Sequence, residues 1–237
     1  MADQRSPMEL DAEKIPEILP ILPLYDAALF PKMVLPLVVL QGESVQLVDE
    51  AMAKDRIIGL MVSKKTEDKD TPDREDLASM GTSAMILKMA KTQDNRTQLL
   101  VQGLNRFKIS AFEKGKSYLR ARVELIKDIE TKDNEIEALM SNLVNQFERI
   151  VELSPGLPPE IAQMSKTIQE AGTLADMIAS TINSTPVEKQ KVLETVDPRL
   201  VPTRDAQKRG VKLESLPATR RLLRPAVFPG MRNANVR

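Results

Sequence analysis

The stretch "ILPILPLYDAALFPKMVLPLVVL", Ile18 to Leu40, decides the fold. It is as long as a membrane-spanning helix, which needs roughly 20 apolar residues, and only Asp26 and Lys32 in it carry charge. Its prolines at 20, 23, 31 and 36 exclude that helix. Each removes a backbone donor and clashes with the preceding helical turn. A cleaved leader would carry basic residues just ahead of the apolar run, but Glu9, Asp11, Glu13 and Glu17 stand there against Lys14. What remains is two extended pieces, residues 19–24 and 34–39, with prolines at edge or bulge positions and residues 26–31 as the loop between them. No membrane partner is expected.

Working outward, residues 1–14 are polar and read as a disordered end. After Gly42, "SVQLVDEAMAKD" places Val45, Val48 and Met52 on one helical face. "RIIGLMV" (56–62) reads as a buried strand, and the acidic run 63–77 as a solvated loop. Further strands are expected at 83–90, 98–103, 105–113 and 118–129, with turns at 91–97 and at "KGKS". The last strand alternates well, with Leu119, Ala121, Val123 and Leu125 on one face and Arg120, Arg122 and Glu124 on the other. Short strands at this spacing suggest a barrel or a sandwich with one helix inserted early.

The period changes near residue 130. Ile136, Leu139, Met140, Leu143, Val144, Phe147, Ile150 and Val151 fit a helix with a broad apolar face. "SPGLPP" (154–159) stops it. Helices follow at 160–171 and, after punctuation by Gly172-Thr173, at 173–182. A last helix begins at Thr185, with Pro186 in its first position and Glu188 closing a capping box. The expected class is α+β: a β part over 15–129 and a helical bundle over 130–200.

Residues 201–237 differ from all of this. They carry nine Lys/Arg against two Asp/Glu, a net of +7, and because the whole chain is neutral, residues 1–200 carry −7. This basic, Pro/Arg-rich tail has no helical or strand period. It reads as a disordered tail, a nucleic-acid-binding arm, or out-of-frame sequence.

Composition narrows the chemistry. The chain has no cysteine and no histidine. It therefore has no disulfide framework to indicate an oxidising compartment, no Ser-His-Asp triad and no Cys/His zinc site. The acidic loop lacks the glycine and closing glutamate of an EF-hand. Gly115-Lys116-Ser117 imitates the end of a P-loop, but Ser110 stands where its first glycine belongs, and a strand follows instead of a helix. A Ser-Lys dyad is compatible with the composition but has no distinctive setting. Tyr25-Asp26 and Tyr118 read as structural residues. No catalytic, cofactor-binding or metal-binding residue is expected, and no substrate-binding residue is singled out.

Residues 19–39 resemble the opening signature of the amino-terminal domain of ATP-dependent Lon proteases. "DRIIGLMVSK" (55–64), "DLASMGTSAMILKM" (76–89), "LLVQGLNRFKI" (99–109), "YLRARVELIKD" (118–128) and "LADMIASTINSTPVEKQKVLETVDPRL" (174–200) agree with it in order and spacing. The likeness covers about residues 15–200. Three positions depart from the usual pattern: Tyr25 replaces an arginine, Lys32 a glycine and Met80 a valine. The resemblance implies a PUA-like β pseudo-barrel with an inserted helix, followed by a small helical bundle. It implies a non-catalytic module of a cytoplasmic Lon-type serine protease, present as a truncated or standalone chain, that recognises unfolded or degron-bearing proteins in protein quality control. Full-length Lon subunits would be further partners. A nucleic-acid-binding PUA-like module using the basic tail is the alternative.

Overall fold

The computed structural model describes residues 15–195 except 41, 65–73, 93–95, 114, 116 and 128–132. The expectations for 1–14 and 201–237 lie outside the described residues, as does most of the acidic loop.

Six strands form one sheet: β1 (Ile18–Leu24), β2 (Val34–Val39), β3 (Ile57–Val62), β4 (Gly81–Lys91), β5 (Thr97–Glu113) and β6 (Arg120–Ile126). Their order is β2-β5-β4-β3-β1-β6, and β5 also pairs with β6. That extra pairing closes β5, β4, β3, β1 and β6 into a ring, and β2 is an appended strand. Helix α1 (Glu43–Met52) connects β2 to β3 and packs Leu47, Val48 and Ala51 against the sheet. Helices α2 (Asn134–Glu152), α3 (Pro159–Thr167), α4 (Ala171–Thr181) and α5 (Pro186–Leu193) follow. The fold is α+β, and no described helix is long and apolar enough to cross a membrane.

The prolines of β1, expected at edge or bulge positions, are accommodated by a change of partner along the strand. Strand β1 lies inside the ring, but residues 18–20 pair with β6 and residues 21–24 pair with β3. Each half therefore has one open side. Pro20 and Pro23 remove donors without breaking a ladder on both sides.

The two strands expected at 98–103 and 105–113 are one strand. β4 pairs along one side from Thr97 to Phe107, across the expected gap, while the other side pairs with β2 over 97–102 and with β6 over 106–113. Gly103 marks the hand-over. A Cβ there would lie 2.2 Å from the carbonyl oxygen of Phe30, so glycine is required for close approach of two backbones. Gly172, read as punctuation, lies inside α4. The break between α3 and α4 falls at residues 168–170, where Ile168 turns into the helical core and Thr173 donates to the Glu170 carboxylate at 2.6 Å. The capping box at Thr185 and Glu188 is present as expected.

Two apolar cores fill the β part. One lies under α1, around Ile58, Leu60, Ile86, Leu99 and Val101. The other surrounds Phe107 with Leu19, Ile21, Ile57, Met61, Ala121 and Val123. The bundle has its own core on Phe147, Leu174 and Ile178. A fourth cluster joins the two parts, because Phe30 from the β1–β2 connection packs on Ala179, Val192 and Leu193.

At the same junction lies a buried ion pair. The Arg106 guanidinium of β5 donates to the Asp176 carboxylate of α4 at 2.6 Å, and its Nε donates to the Leu193 carbonyl oxygen of α5 at 3.0 Å. Both side chains are 3% exposed. Removing one member of such a pair leaves the other charge buried without compensation. Arg106→Ala is expected to lower unfolding free energy by about 3–5 kcal/mol, measured by urea denaturation. The double variant Arg106→Met/Asp176→Leu should recover a large part of that loss.

Candidate functional site

The segment from Ala28 to Pro31 is buried, although its sequence position is that of a loop. Met33 N–H donates to the Phe30 carbonyl at 3.2 Å, closing a turn with Pro31 and Lys32 at its centre. Lys32 has φ 63, the left-handed conformation that the third residue of a type II turn requires. Glycine suits that position best, so lysine holds a strained backbone there. Lys32 N–H donates to the Gly103 carbonyl at 2.9 Å, and Gly103 N–H donates to the Met33 carbonyl at 2.8 Å. Two residues thus oppose one, which is a β-bulge. The Lys32 ammonium reaches the Glu170 carboxylate and lies 3.1 Å from the Thr173 hydroxyl, bolting the turn to the start of α4.

The bulge sets the orientation of β2. Counting on from the Met33–Gly103 bond, hydrogen-bonded pairs fall at Leu35, Leu37 and Val39. The backbone groups of Val34, Pro36 and Val38 then face the open edge, where no described strand pairs. Proline at 36 removes a donor from that edge alone.

Side chains divide in the same way. Leu35, Leu37 and Val39 turn inward with Leu99, Val101, Ile86 and Met89. Val34, Val38 and Leu40 are 51%, 57% and 53% exposed, and Pro36 is exposed between them. Register extends this outer face across three strands. Val34, Gln102 and Met85 form one row, Pro36, Leu100 and Lys88 the next, and Val38, Gln98 and Ala90 the third. Past the last paired residues, continuation of the same alternation puts Leu40 and Arg96 on this side, and the Thr92 N–H donates to the Arg96 carbonyl at 2.9 Å. The four rows span roughly 20 Å along the strands. Gln102 is buried within the first row, so the large exposed apolar side chains are those of β2 itself and the adjoining Leu40, and such a cluster marks an interaction site. Leu153, Met164 and Val187 are also exposed, but each stands singly on its own element, which is ordinary for a protein surface.

The motifs weighed in the sequence resolve as structure. Gly115 has φ 109 in the exposed turn between β5 and β6, and the Ser117 hydroxyl donates to Gln46 at 2.8 Å. Lys116 lies outside the described residues. Tyr25 is half-buried and Asp26 exposed. Tyr118 is buried beside α1 and donates to the Glu50 carboxylate at 2.5 Å, at the wall of a cleft of about 50 Å³. That volume has room for only a few waters.

Comparison with known proteins now decides the family. The family model described as the ATP-dependent protease La (LON) substrate-binding domain matches residues 18–200. The chain belongs to the Lon substrate-binding domain family. A Lon protease of Syntrophus aciditrophicus is 51% identical over 189 residues, covering 78% of this chain and 24% of that protein. One of Desulfosudis oleivorans is 46% identical over 188 residues, covering 79% and 23%. The chain thus spans about a quarter of the length of these relatives, and the shared part is the Lon substrate-binding domain. The N-terminal domain of Mycobacterium avium complex Lon protease has the same fold, with a TM-score of 0.62 at 24% identity, covering 77% of this chain and 92% of that one. The Lon N-terminal domain protein from Xanthomonas campestris aligns with a TM-score of 0.54 at 18% identity, covering 76% and 92%.

Two measurements check this geometry. Lys32→Gly relieves a left-handed strain of about 1 kcal/mol and loses an exposed ion pair worth about 0–1 kcal/mol. The variant should therefore be at least as stable as wild type by chemical denaturation. Burial first, then the hydrogen bond to Glu50, raises the Tyr118 phenol from 10.0 to about 12. The neutral phenol is thus favoured in the folded state, and its contribution to stability is full below pH 10 and lost as pH rises towards 12. Ultraviolet titration should resolve one tyrosine ionising near pH 12, and Glu50→Gln should lower that value while leaving the part due to burial.

Proposed function

We propose that this chain binds protein substrates for a Lon-type ATP-dependent protease. It captures unfolded or degron-bearing polypeptides in cytoplasmic protein quality control and performs no catalysis itself. The observation that carries this reading is the outward apolar face of β2, Val34, Pro36, Val38 and Leu40, with the half-buried Leu100 beside Pro36. Apolar segments that a folded protein hides are the ligands such a face fits. Membership in a family named for substrate binding supports it. Other Lon subunits are its assembly partners in this reading. The β part (15–129) acts as the gripping unit, and the helical part (130–200) holds it through Phe30 and Arg106.

Nucleic acid is not a partner in this reading. The outer face carries no aromatic side chain on which bases would stack, and residues 1–200 are net acidic.

The test is binding of the purified chain to unfolded casein, followed by anisotropy. Val38→Asp is expected to weaken binding by about tenfold or more, ~1.4 kcal/mol, with stability changed by less than about 0.5 kcal/mol because the site is exposed. Leu153→Asp should leave binding unchanged. Loss of binding with Leu153→Asp and none with Val38→Asp would move the site to the bundle. Hydrolysis of ATP by the pure chain would end the non-catalytic reading.

A further inference from the structure

The outer face of β2, β5 and β4 is charged as well as apolar. Its twelve positions in four rows carry two cations, Lys88 and Arg96, and no carboxylate. Both cations are exposed. Elsewhere on the surface of the described chain several cations pair with carboxylates: Lys32 with Glu170, Lys54 with Glu50, Lys91 with Asp49 and Lys166 with Glu148. No ion pair is found for Lys88 or Arg96 among the described residues.

Lys88 is on this face because of a register shift. Ile86 points into the core opposite Val101, and simple alternation would send Lys88 the same way. The irregularity between Ile86 and Lys88 reverses the parity, so Lys88 stands opposite Leu100 on the outside. Arg96 lies four residues from Leu100 along β5, which puts the two cations about 14 Å apart. That is the span of four residues of extended chain. In an extended segment, residues one, three and five point to the same side. An acidic residue at each end and an aliphatic one between them would meet Lys88, the Pro36–Leu100–Val38 surface and Arg96 together. Pro36 removes the central of the three donors on the open edge, which disfavours strand addition and favours docking across the face by side-chain contact.

We infer that this face selects extended aliphatic segments flanked by acidic residues, through Lys88 and Arg96. This rests on the outer face being the substrate-binding site and specifies which segments it prefers. The chemistry is charge complementarity at a partly apolar surface, which sets specificity more than total affinity.

The experiment uses the full 237-residue chain and three labelled peptides with the same aliphatic centre, flanked four residues apart by Glu, Gln or Lys. Anisotropy at low salt should rank them Glu over Gln over Lys. The extremes should differ by about tenfold and converge in high salt. Lys88→Glu/Arg96→Glu should invert the order, and Lys88→Gln/Arg96→Gln should level it. Equal binding of the three peptides by wild type would overturn the inference. So would a Glu preference that persists in the reversed variant, since it would then come from the basic residues beyond 200. The underlying reading is tested separately by Val38→Asp. If that variant loses all three peptides while the charge variants change no ranking, the site stands and the acidic selectivity fails. If Val38→Asp binds all three as wild type does, the site itself is misplaced.

Discussion

Arg106 and Asp176 constrain how the two parts of this protein meet. Burying a guanidinium and a carboxylate costs several kcal/mol per ion, and their attraction offsets this only when geometry and hydrogen bonding are good. Here the pair is close, and the remaining Nε donor is satisfied by the carbonyl at the end of α5. Such a pair adds little net stability compared with an apolar replacement. Its effect is to penalise every other arrangement. A shifted bundle would strand a buried charge on β5 and another on α4. Apolar contacts around it, Phe30 on Ala179, Val192 and Leu193, supply burial without direction. The Gln190 amide, donating to the Met80 carbonyl at 2.9 Å, ties α5 to the entrance of β4. Position therefore comes from the polar groups and adhesion from the apolar ones.

From that junction the geometry passes to the outer face through four residues. Phe30 is held by the bundle, Pro31 and Lys32 make the turn, and Met33 contacts the cores of both parts. The bulge opposite Gly103 then determines which residues of β2 face out. Because strand side chains alternate, one residue more or less would exchange the two faces. Leu35, Leu37 and Val39 would then be exposed, with Val34, Pro36 and Val38 turned to the core. The left-handed backbone at Lys32 is thus linked directly to the chemistry of the exposed surface. An ion pair to Glu170 and an oxygen of Thr173 hold a residue where glycine would be less strained.

Much of this fold was legible in the residues. The prolines of the opening stretch excluded a long helix, alternation marked β6, and Thr185 with Glu188 announced the last helix. Features that depend on distant neighbours were not. Gly103 looked like the end of a strand, but its reason is the Phe30 carbonyl, which approaches from another segment. Gly172 looked like a break, yet it lies in the first turn of α4, while the chain breaks at Ile168 to bury that side chain. Pro20 and Pro23 suggested an edge or a bulge, because nothing local shows that β1 changes partner halfway along. The outer face was the least legible part. Both parities of β2 are apolar, so alternation alone cannot say which side meets water.

Lys88 shows how an irregularity can place a charge on a chosen face. The bulge after Ile86 turns a lysine that strict alternation would bury onto the same surface as Leu100 and Pro36. An open strand edge beside exposed valines would ordinarily invite pairing with another chain, and charge and proline are the usual guards against it. Here both guards stand at or beside the exposed valines. Pro36 interrupts the donors of the edge, and Lys88 places a charge in the middle of the apolar rows. The surface can therefore remain apolar enough to hold an exposed segment without templating a sheet. Contacts made through side chains alone leave the backbone of a docked segment unpaired, so its side-chain chemistry, and not a ladder, decides how well it fits.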